Sequence, residues 1–486
     1  MQIGKRAAKD IFENLTEVDG SFVNQMLEKE LQHLDQKIIV LDDDPTGVQT
    51  VHGISVYTDW TVESIEQGFR EEQPMFFILT NSRGMIASES EAAHKEIAAN
   101  VAAVSKKLNQ PFMIISRGDS TLRGHYPMET EVLKNTVEQL TDLTFDGEVI
   151  IPFFKEGGRF TIDNIHYVQY GDELVPAGET EFAKDRTFGY TKSHLGEYVE
   201  EKSGGRYKAE NAAYISLEDL RALRIDEITE QLKRVSGFNK VIVNAVDYVD
   251  VKVFAIALVR ALKAGKNFMY RSAAAFTKVI GGVSDKPLLT REELIREESN
   301  HGGLILVGSH VKKTTEQLEE LKKLTSIDFI QLDSHLVVKP DDFRAEVDRV
   351  IAEVEKRIAV GRTVTVYTRR ERLDLGEGMQ EEELKQSVKI SEAVTSIVQR
   401  LTVRPSYIVA KGGITSSDIG TKGLRVKRAT VAGQIKPGIP VWYTGEESKF
   451  PGIAYIIFPG NVGAVTTLRE AVELLEGKGS EVHHAR

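Results

Sequence analysis

Carboxylates, hydroxyls and guanidinium groups follow three apolar segments in the first half of the 486-residue sequence. The polar stretches are DDDPTGVQT at 42–50 after KIIVL, TNSR at 80–83 after MFFIL, and SRGDSTLRGH at 116–125 after FMII. Ligands of parallel α/β sheets bind beyond the carboxyl ends of the strands, so these stretches are expected at one edge of a sheet. A guanidinium group binds a planar oxyanion through two parallel hydrogen bonds. An aspartate can bind sugar hydroxyls, act as a base or hold a cation. The pattern predicts a binding site for a carboxylate or a phosphate.

The residues predicted to bind this ligand come from these stretches and from the glycine-rich turn after a fourth apolar segment. They are Asp43, Thr46, Asn81, Arg83, Ser120, Arg123, Lys155 and Arg159. Each stretch also has a purely structural interpretation. DDDPTG is often a solvated turn that caps a helix, and an Arg-Asp pair often closes a strand end. Their expected convergence at one edge of a sheet favours function.

Three apolar segments in the second half are followed by glycine and hydroxyl residues instead. Backbone N–H groups in such loops, and at the helix starts after them, can receive phosphate oxygens. A tight turn without a ligand is the alternative for any single loop, but three such loops in one domain favour phosphate binding. The predicted contacts are Gly308, Ser309, His310, Gly412, Gly413, Thr415, Ser416, Gly460, Asn461 and Gly463.

Several classes of protein are excluded by composition and by missing motifs. The chain has no cysteine, which excludes disulfides, thiolate catalysis and cysteine-bound zinc. It has no Walker A motif, no protein-kinase motif set and no Rossmann glycine motif, and its histidines lack metal-ligand spacing. The net charge of −11 argues against a nucleic-acid partner. No apolar stretch approaches the roughly 20 residues that span a bilayer, and the first residues lack a signal-peptide core, so we expect a cytoplasmic protein without a membrane partner.

The elements that position these residues alternate between apolar, β-branched segments and stretches with helical spacing. This alternation predicts an α/β fold with two domains, each built on a largely parallel sheet flanked by helices. The predicted strands cover 37–41, 75–79, 112–115, 148–151, 240–243, 303–307, 363–367, 407–410 and 454–458. The predicted domains are a helical extension at 1–36, an anion-binding domain at 37–290, a phosphate-binding domain at 303–476 and a flexible tail at 477–486. The polar stretch 290–303, which ends in a glycine pair, is the expected linker between the two domains.

Taken in order, the motifs resemble those of the four-carbon acid sugar kinase family. The resemblance runs from about residue 37 to residue 475 and depends on DDDPTGVQT at 42–50, NSRG at 81–84, RGDSTLRGH at 117–125, IPFFKEGGRFT at 151–161, TEFAKDRTF at 180–188, VGSH at 307–310, KGGITSSDIG at 411–420 and FPGNVG at 458–463. The resemblance implies an acid-sugar-binding domain and an ATP-binding domain that phosphorylate the terminal hydroxyl of a tetronate such as erythronate, threonate or 3-oxo-tetronate, with ATP and Mg²⁺. The string DDDPTG departs from the DDLTGA-like string of many members, which leaves the particular acid open.

Two aspartates are candidates for the catalytic base of such a transfer. Asp119 lies between Arg117 and Arg123 in sequence, which indicates that it positions the substrate. Asp44 follows two like charges that would raise its pKa, so we predict that Asp44 is the base or orients the hydroxyl. A lyase, isomerase or hydrolase of a sugar acid phosphate, and a sensor without catalysis, remain the alternative functions. The metal ligands and the oligomeric state, for which a homodimer is one candidate, stay open.

Overall fold

The computed structural model describes residues 4–297, 299–371, 373, 376, 380–460 and 462–477. The chain divides into two compact units, Met1–Asp285 and Lys286–Arg486. Each unit is a sheet of mostly parallel strands with helices packed on it, so the predicted α/β class is confirmed. The predicted contact Asn461 and nearly all of the predicted tail lie outside the described residues.

The first unit alternates strands and helices along almost its whole length. Its elements are β1 (Arg6–Ala7), α1 (Ala8–Phe12), α2 (Gly20–Leu31), β2 (Lys37–Asp42), β3 (Ser55–Tyr57), α3 (Val62–Arg70), β4 (Met75–Leu79), α4 (Ala87–Leu108), β5 (Phe112–Arg117), α5 (Met128–Leu140), β6 (Gly147–Ile151), β7 (Arg159–Ile162), β8 (Ile165–Tyr170), β9 (Glu173–Pro176), α6 (Leu195–Lys202), β10 (Ala213–Ile215), α7 (Leu217–Arg221), α8 (Ile225–Lys233), β11 (Asn239–Val243), α9 (Tyr248–Lys263), β12 (Phe268–Ser272) and α10 (Ala274–Ile280).

The main sheet of this unit has the strand order β10-β11-β6-β12-β5-β2-β4-β3, and all of its neighbouring pairs are parallel. Strands β2, β4 and β5 consist of residues that are all buried, as expected for parallel strands covered on both faces. Ile97 and Val101 of α4 and Leu133 of α5 pack against one face of the sheet. This arrangement brings the ends of β4, β2 and β5 side by side.

A second, antiparallel sheet with the order β1-β9-β8-β7 was not predicted. The first strand comes from the N-terminal extension, where Arg6 lies opposite Leu174. The helix α2 of the same extension packs on α9, with Arg260 Nε donating to Glu30 Oε1 at 2.8 Å. Residues 4–36 therefore contribute both helices and a strand to the first unit.

The second unit contains the remaining elements of the described chain. They are α11 (Arg291–Leu294), β13 (Leu304–Val307), α12 (Lys312–Leu321), β14 (Asp328–Leu332), α13 (Pro340–Ala359), β15 (Val364–Thr368), α14 (Gln380–Arg400), β16 (Tyr407–Lys411), α15 (Gly413–Asp418), β17 (Arg428–Lys436), β18 (Ile439–Thr444), β19 (Ala454–Phe458) and α16 (Thr467–Leu475).

The sheet of the second unit has the strand order β17-β18-β19-β16-β13-β15-β14. The strands from β19 to β14 are parallel, whereas β17 and β18 form an antiparallel hairpin beside β19. Leu318 of α12 and Leu468 and Val472 of α16 are buried in the core on one face. The ends of β13, β16 and β19 consequently lie next to each other, and the predicted glycine loops follow them.

The stretch expected to be a linker begins within the second unit. Leu289 and Leu294 are buried in its core, and the Leu289 amide donates to the Gln434 carbonyl at 2.8 Å. Thr290 caps the short helix α11, accepting from the Glu293 amide. Leu294 lies inside this charged stretch and Leu289 lies just before it, so the start of the stretch is docked on the second unit. Within the described part of the chain, no helix combines the length and the apolar composition that a bilayer crossing requires.

Candidate functional site

The loop after β2 folds around the carboxylate of its last residue, Asp42. Asp42 is 1% exposed, and its carboxylate accepts a hydrogen bond of 3.1 Å from Nη1 of Arg117, the last residue of β5. Gly47 lies so close to this carboxylate that any side chain at position 47 would overlap it. Burial raises the pKa of Asp42 to about 7, and Arg117 offsets only part of that effect. Asp42 and Arg117 thus form the buried floor of the loop, and neither was predicted as a site residue.

Arg83 joins the two aspartates that were predicted to be catalytic. It lies in the 3₁₀ turn Ser82–Gly84 after β4, where Asn81 takes a left-handed conformation with φ of 54°. Its guanidinium pairs with Asp44 Oδ2, and its Nη1 lies 3.3 Å from Asp119 Oδ1. The Thr46 amide donates to Asp44 Oδ1 at 2.7 Å. Residues from three strand ends therefore meet at this guanidinium, as the sequence predicted.

Both aspartates stay ionised beside Arg83. Burial alone would raise the pKa of Asp44, but Arg83 and the hydrogen bonds from Thr46 outweigh burial and lower it. Burial also opposes ionisation of Asp119, yet Arg83 and Arg123 hold its pKa far below the usual range. The prediction that the pKa of Asp44 is raised is wrong, because the pairing with Arg83 and the hydrogen bonds from Thr46 lower it instead.

Arg123 and Arg159 lie on the other side of Asp119. Arg123 Nε donates to Asp119 Oδ2 at 2.7 Å, and its Nη1 lies 3.8 Å from Asp185 Oδ2. The Cζ atoms of Arg123 and Arg159 lie 5.1 and 5.6 Å from the centre of the Phe182 ring. Among the residues that the structure describes, Arg159 forms no ion pair, although Asp119 and Glu181 attract it from a greater distance, and its Nε is buried without a hydrogen bond. Burial lowers the pKa of Arg159, so an anion beside it would be favoured.

The three glycine loops of the second unit come together at the ends of β13, β16 and β19. A Cβ at Gly308 would overlap the Thr415 hydroxyl, and one at Gly412, where φ is 124°, would lie 3.0 Å from Ser309 Cβ. A Cβ at Gly460 would lie 3.2 Å from Ser309 Oγ. The loops can approach this closely only because these positions carry no side chain. The three loops therefore meet at one edge of the sheet, where the Gly308 amide already donates to the Lys411 carbonyl at 3.4 Å and the Gly412 amide to the Phe458 carbonyl at 2.9 Å.

Comparison with known proteins matches both units. A family model described as "Sugar-binding N-terminal domain" matches residues 38–280, and one described as "Nucleotide-binding C-terminal domain" matches residues 304–468. The chain belongs to the four-carbon acid sugar kinase family. No match was found among curated proteins.

Two solved structures share the fold of this family member. The Haemophilus influenzae protein HI1011, assigned to DUF1537, superposes with a TM-score of 0.60 at 17% identity, covering 90% of this chain and 100% of that one. A Salmonella typhimurium LT2 protein, proposed to be a tRNA synthase, superposes with a TM-score of 0.62 at 15% identity, covering 89% and 97%. At these identities the likeness concerns the fold alone.

Two of the predicted sugar-domain residues have other surroundings. The Lys155 ammonium pairs with Asp247 and is half-exposed, and the structure describes no contact between it and the Arg83 cluster. The expected role of Lys155 was based on its position after a strand, and the pairing with Asp247 is the physical reason for the difference. Ser120 lies in the loop after β5 and is buried, and its carbonyl accepts from His166 Nε2 at 2.8 Å.

A buried salt bridge that the sequence did not reveal supports the loop from Gly118 to Gly124. Arg271, from β12, extends its guanidinium beneath this loop, and a Cβ at Gly124 would lie 2.5 Å from Arg271 Nη2. Arg271 Nη1 donates to Glu129 Oε2 at 2.8 Å, and both side chains are at most 11% exposed. Glycines at both ends of a polar loop were the available signal, since they permit the close approach of another group.

Tyrosine hydroxyls hold the middle of the same loop. Tyr190 donates to the Thr121 carbonyl at 2.7 Å, and Tyr198 donates to the Leu122 carbonyl at 2.8 Å. Leu122 has a φ of 70°, a conformation that a leucine adopts only where its surroundings impose it. The loop that carries Asp119 and Arg123 is therefore held at both ends by Arg271 and in its middle by the two tyrosines.

The buried Lys411 side chain connects the end of β16 to the loop after β19. It is fully buried at the end of β16, where its ammonium donates to the carbonyls of Pro459 and, at 3.1 Å, Gly460. Burial, together with the charge of Lys313, lowers the pKa of Lys411 to about 7. The lysine is part of the KGG string, but only the glycines and the hydroxyl residues of that string were predicted as contacts.

The other predicted nucleotide contacts also lie in these loops. Ser416 Oγ donates to the Gly412 carbonyl at 2.7 Å, and His310 Nε2 donates to the Arg369 carbonyl at 3.1 Å. Gly413 begins the helix α15, and Gly463 has a φ of 84°. Arg370 was not predicted, although its Nη2 donates to the Ser309 carbonyl at 2.5 Å. In the described residues no three His, Asp and Glu side chains converge in a way that would hold a metal ion.

Proposed function

We propose that this protein is an ATP-dependent kinase that phosphorylates the terminal hydroxyl of a four-carbon sugar acid, either a tetronate or an oxo-tetronate. The observation that supports this most directly is the Arg159 guanidinium, which has no carboxylate partner among the described residues and lies beside Arg123 in the domain matched as sugar-binding. Such a group favours a ligand that brings its own negative charge.

Arg159 and Arg123 bind the carboxylate of the acid in this proposal. Arg83 is already neutralised by Asp44 and Asp119, so it serves mainly to hold the two aspartates. The Nε of Arg123 donates to Asp119, and among the described residues its terminal nitrogens face only the carboxylate of Asp185, at 3.8 Å. A planar carboxylate can therefore accept from two neighbouring guanidinium groups.

The aspartates bind the hydroxyl groups of the acid. Asp44 Oδ2 and Asp119 Oδ1 each face a single donor, Arg83, among the described residues, so each oxygen can accept another hydrogen bond. We assign the proton-accepting role to Asp44, because one guanidinium pairs with it whereas two pair with Asp119. Asp119 then orients a second hydroxyl.

The transfer itself needs little more than position and charge neutralisation. The hydroxyl oxygen forms a bond to the γ-phosphorus of ATP, the bond from that phosphorus to the bridging oxygen breaks, and ADP leaves. The hydroxyl proton passes to Asp44. The glycine loops at residues 308–310, 412–416 and 460–463 receive phosphate oxygens on those backbone amides that do not already donate within the protein, as the Gly308 and Gly412 amides do. Mg²⁺ would arrive with ATP. The described residues offer no three-ligand site that would hold it.

An ADP-release assay with a panel of four-carbon compounds tests the proposal. We expect ADP formation with ATP-Mg²⁺ and at least one tetronate or oxo-tetronate, and at least about a hundredfold lower kcat/KM with the matching neutral tetritols, which lack the charge that Arg159 and Arg123 bind. Equal turnover of an acid and its tetritol would contradict the carboxylate assignment. Conversion of a sugar acid phosphate without ATP would instead support a lyase or isomerase.

A further inference from the structure

Two glycines of the RGDSTLRG segment are explained by one side chain, Arg271. A Cβ at Gly118 would overlap the Arg271 guanidinium, and a Cβ at Gly124 would lie 2.5 Å from its Nη2. Both distances are far shorter than van der Waals contact, so the loop can rest on this guanidinium only if both of its ends lack side chains. The two ends of the loop thus share a single support.

The Arg271 guanidinium is itself held in place by a buried carboxylate, that of Glu129. Glu129 Oε2 accepts from Arg271 Nη1 at 2.8 Å, while Glu129 Oε1 accepts from Ser82 Oγ at 2.6 Å and from Ser90 Oγ at 3.1 Å. Arg271 Nη1 also donates to Ser116 Oγ at 2.9 Å. Glu129 lies in the first turn of α5, where the helix dipole favours a negative charge. Glu129 therefore accepts from three donors, which leaves it little freedom to move.

Arg271 connects this anchor to the groups that face the ligand. Its Nη2 lies 3.5 Å from the Arg123 carbonyl, and the loop above it presents Asp119 and the Arg123 side chain. A Cβ at Gly124 would also lie 3.7 Å from Asp43 Oδ2, a buried oxygen without a hydrogen-bond partner. Arg271 thus lies between the loop after β5 and the loop after β2.

We propose that Arg271, fixed by Glu129, is a positioning residue that sets the place of Asp119 and Arg123 relative to the bound acid. The inference deepens the proposed kinase function and its activity readout depends on that function. Lysine cannot replace Arg271, because an ammonium lacks the planar fork that reaches Ser116, Glu129 and the loop at once. Displacement of reacting groups by about 1 Å can cost about a hundredfold in rate.

The test compares three variants of the full-length protein. Arg271→Lys keeps the charge, and the double variant Glu129→Gln/Arg271→Met removes both charges so that no buried carboxylate is left unpaired. Arg206→Lys is the matched control, because Arg206 also pairs with a glutamate of α5, Glu131 at 2.9 Å, but is 59% exposed. Each variant is measured by amide hydrogen exchange of the peptide covering 117–125 and by steady-state kinetics with acid and with ATP.

We expect amide exchange in residues 117–125 to accelerate by about tenfold or more in both Arg271 variants and to stay unchanged in the control. The KM for the acid should rise by about tenfold or more while the KM for ATP stays within about twofold. Exchange equal to that of the control, or an equal rise in both KM values, would overturn the positioning role. If the wild-type protein phosphorylates no four-carbon acid, the proposed function fails, and the exchange data still decide whether Arg271 fixes the loop.

Discussion

Replacing Arg159 with methionine should separate ligand binding from stability. Arg159 has no carboxylate partner among the described residues, so its removal leaves no buried anion uncompensated. Methionine keeps an apolar chain beside Phe182, and the free energy of unfolding should therefore stay within about 1 kcal/mol of the wild-type value. The acid, in contrast, loses hydrogen bonds between charged groups, each contributing about 1.5 to 3 kcal/mol. The kcat/KM for the acid should fall by about tenfold to more than a hundredfold.

The matched comparison is Arg83→Met, which should have the opposite profile. Arg83 is 21% exposed and pairs with both Asp44 and Asp119, so its loss leaves two largely buried carboxylates without their shared cation. Breaking such a network costs about 3 to 5 kcal/mol in fully buried cases, and somewhat less is expected at this exposure. Urea unfolding and the ADP-release assay are run on both variants. Equal destabilisation by the two variants, or an unchanged KM for the acid in Arg159→Met, would refute the reasoning.

Three further predictions concern the same sites. The pKa of Glu129 lies at about 2 in the folded protein against an ordinary 4.5, so its stabilisation is present above pH 4.5 and is lost as the pH falls towards 2. The gap in unfolding free energy between the wild type and Glu129→Gln should thus reach about 3 kcal/mol at pH 7 and shrink by pH 3, as measured by urea unfolding. Asp44→Asn should lower kcat by about a hundredfold while Asp119→Asn mainly raises the KM for the acid; the reverse pattern in steady-state kinetics would make Asp119 the base. Gly308→Ala should raise the KM for ATP by about tenfold because its Cβ displaces Thr415, and an unchanged KM for ATP in the folded variant would remove this loop from the nucleotide site.

Strands that consist of apolar residues could be predicted from the sequence, and polar ones could not. The segment 75–79 was predicted and coincides with β4. Strand β12 was missed because Arg271 and Ser272 occupy its end, although this end is inside the protein and its polar groups find partners there. The antiparallel sheet was missed for a similar reason, since β8 carries His166, which is buried and bonded to Thr161 and Ser120. A polar residue indicates a solvent-exposed position only where the protein offers its side chain no internal hydrogen-bond partner.

The same limit explains the error over Asp44. The neighbouring carboxylates do interact, since Asp43 and Asp44 both raise the pKa of Asp42, but a sequence does not show which carboxylate each guanidinium will pair with. Burial raises the pKa of Asp42 against the opposing effect of Arg117, whereas at Asp44 the Arg83 guanidinium and Thr46 outweigh burial and lower the pKa. The convergence of the strand ends followed from the order of apolar segments, while the pairing of charges depends on side-chain directions that a sequence does not contain.

The distribution of partners among the arginines bears on how the site would distinguish an acid from a neutral polyol. Arg83, Arg117 and Arg271 are each held by carboxylates of the protein, which fixes their positions before any ligand arrives. Arg159 alone among these four forms no ion pair in the described residues, so in the proposed function an incoming carboxylate can pair with it directly. A polyol would bury the same guanidinium without compensating it. Discrimination therefore follows from the cost of leaving Arg159 unpaired, in addition to the attraction of the acid.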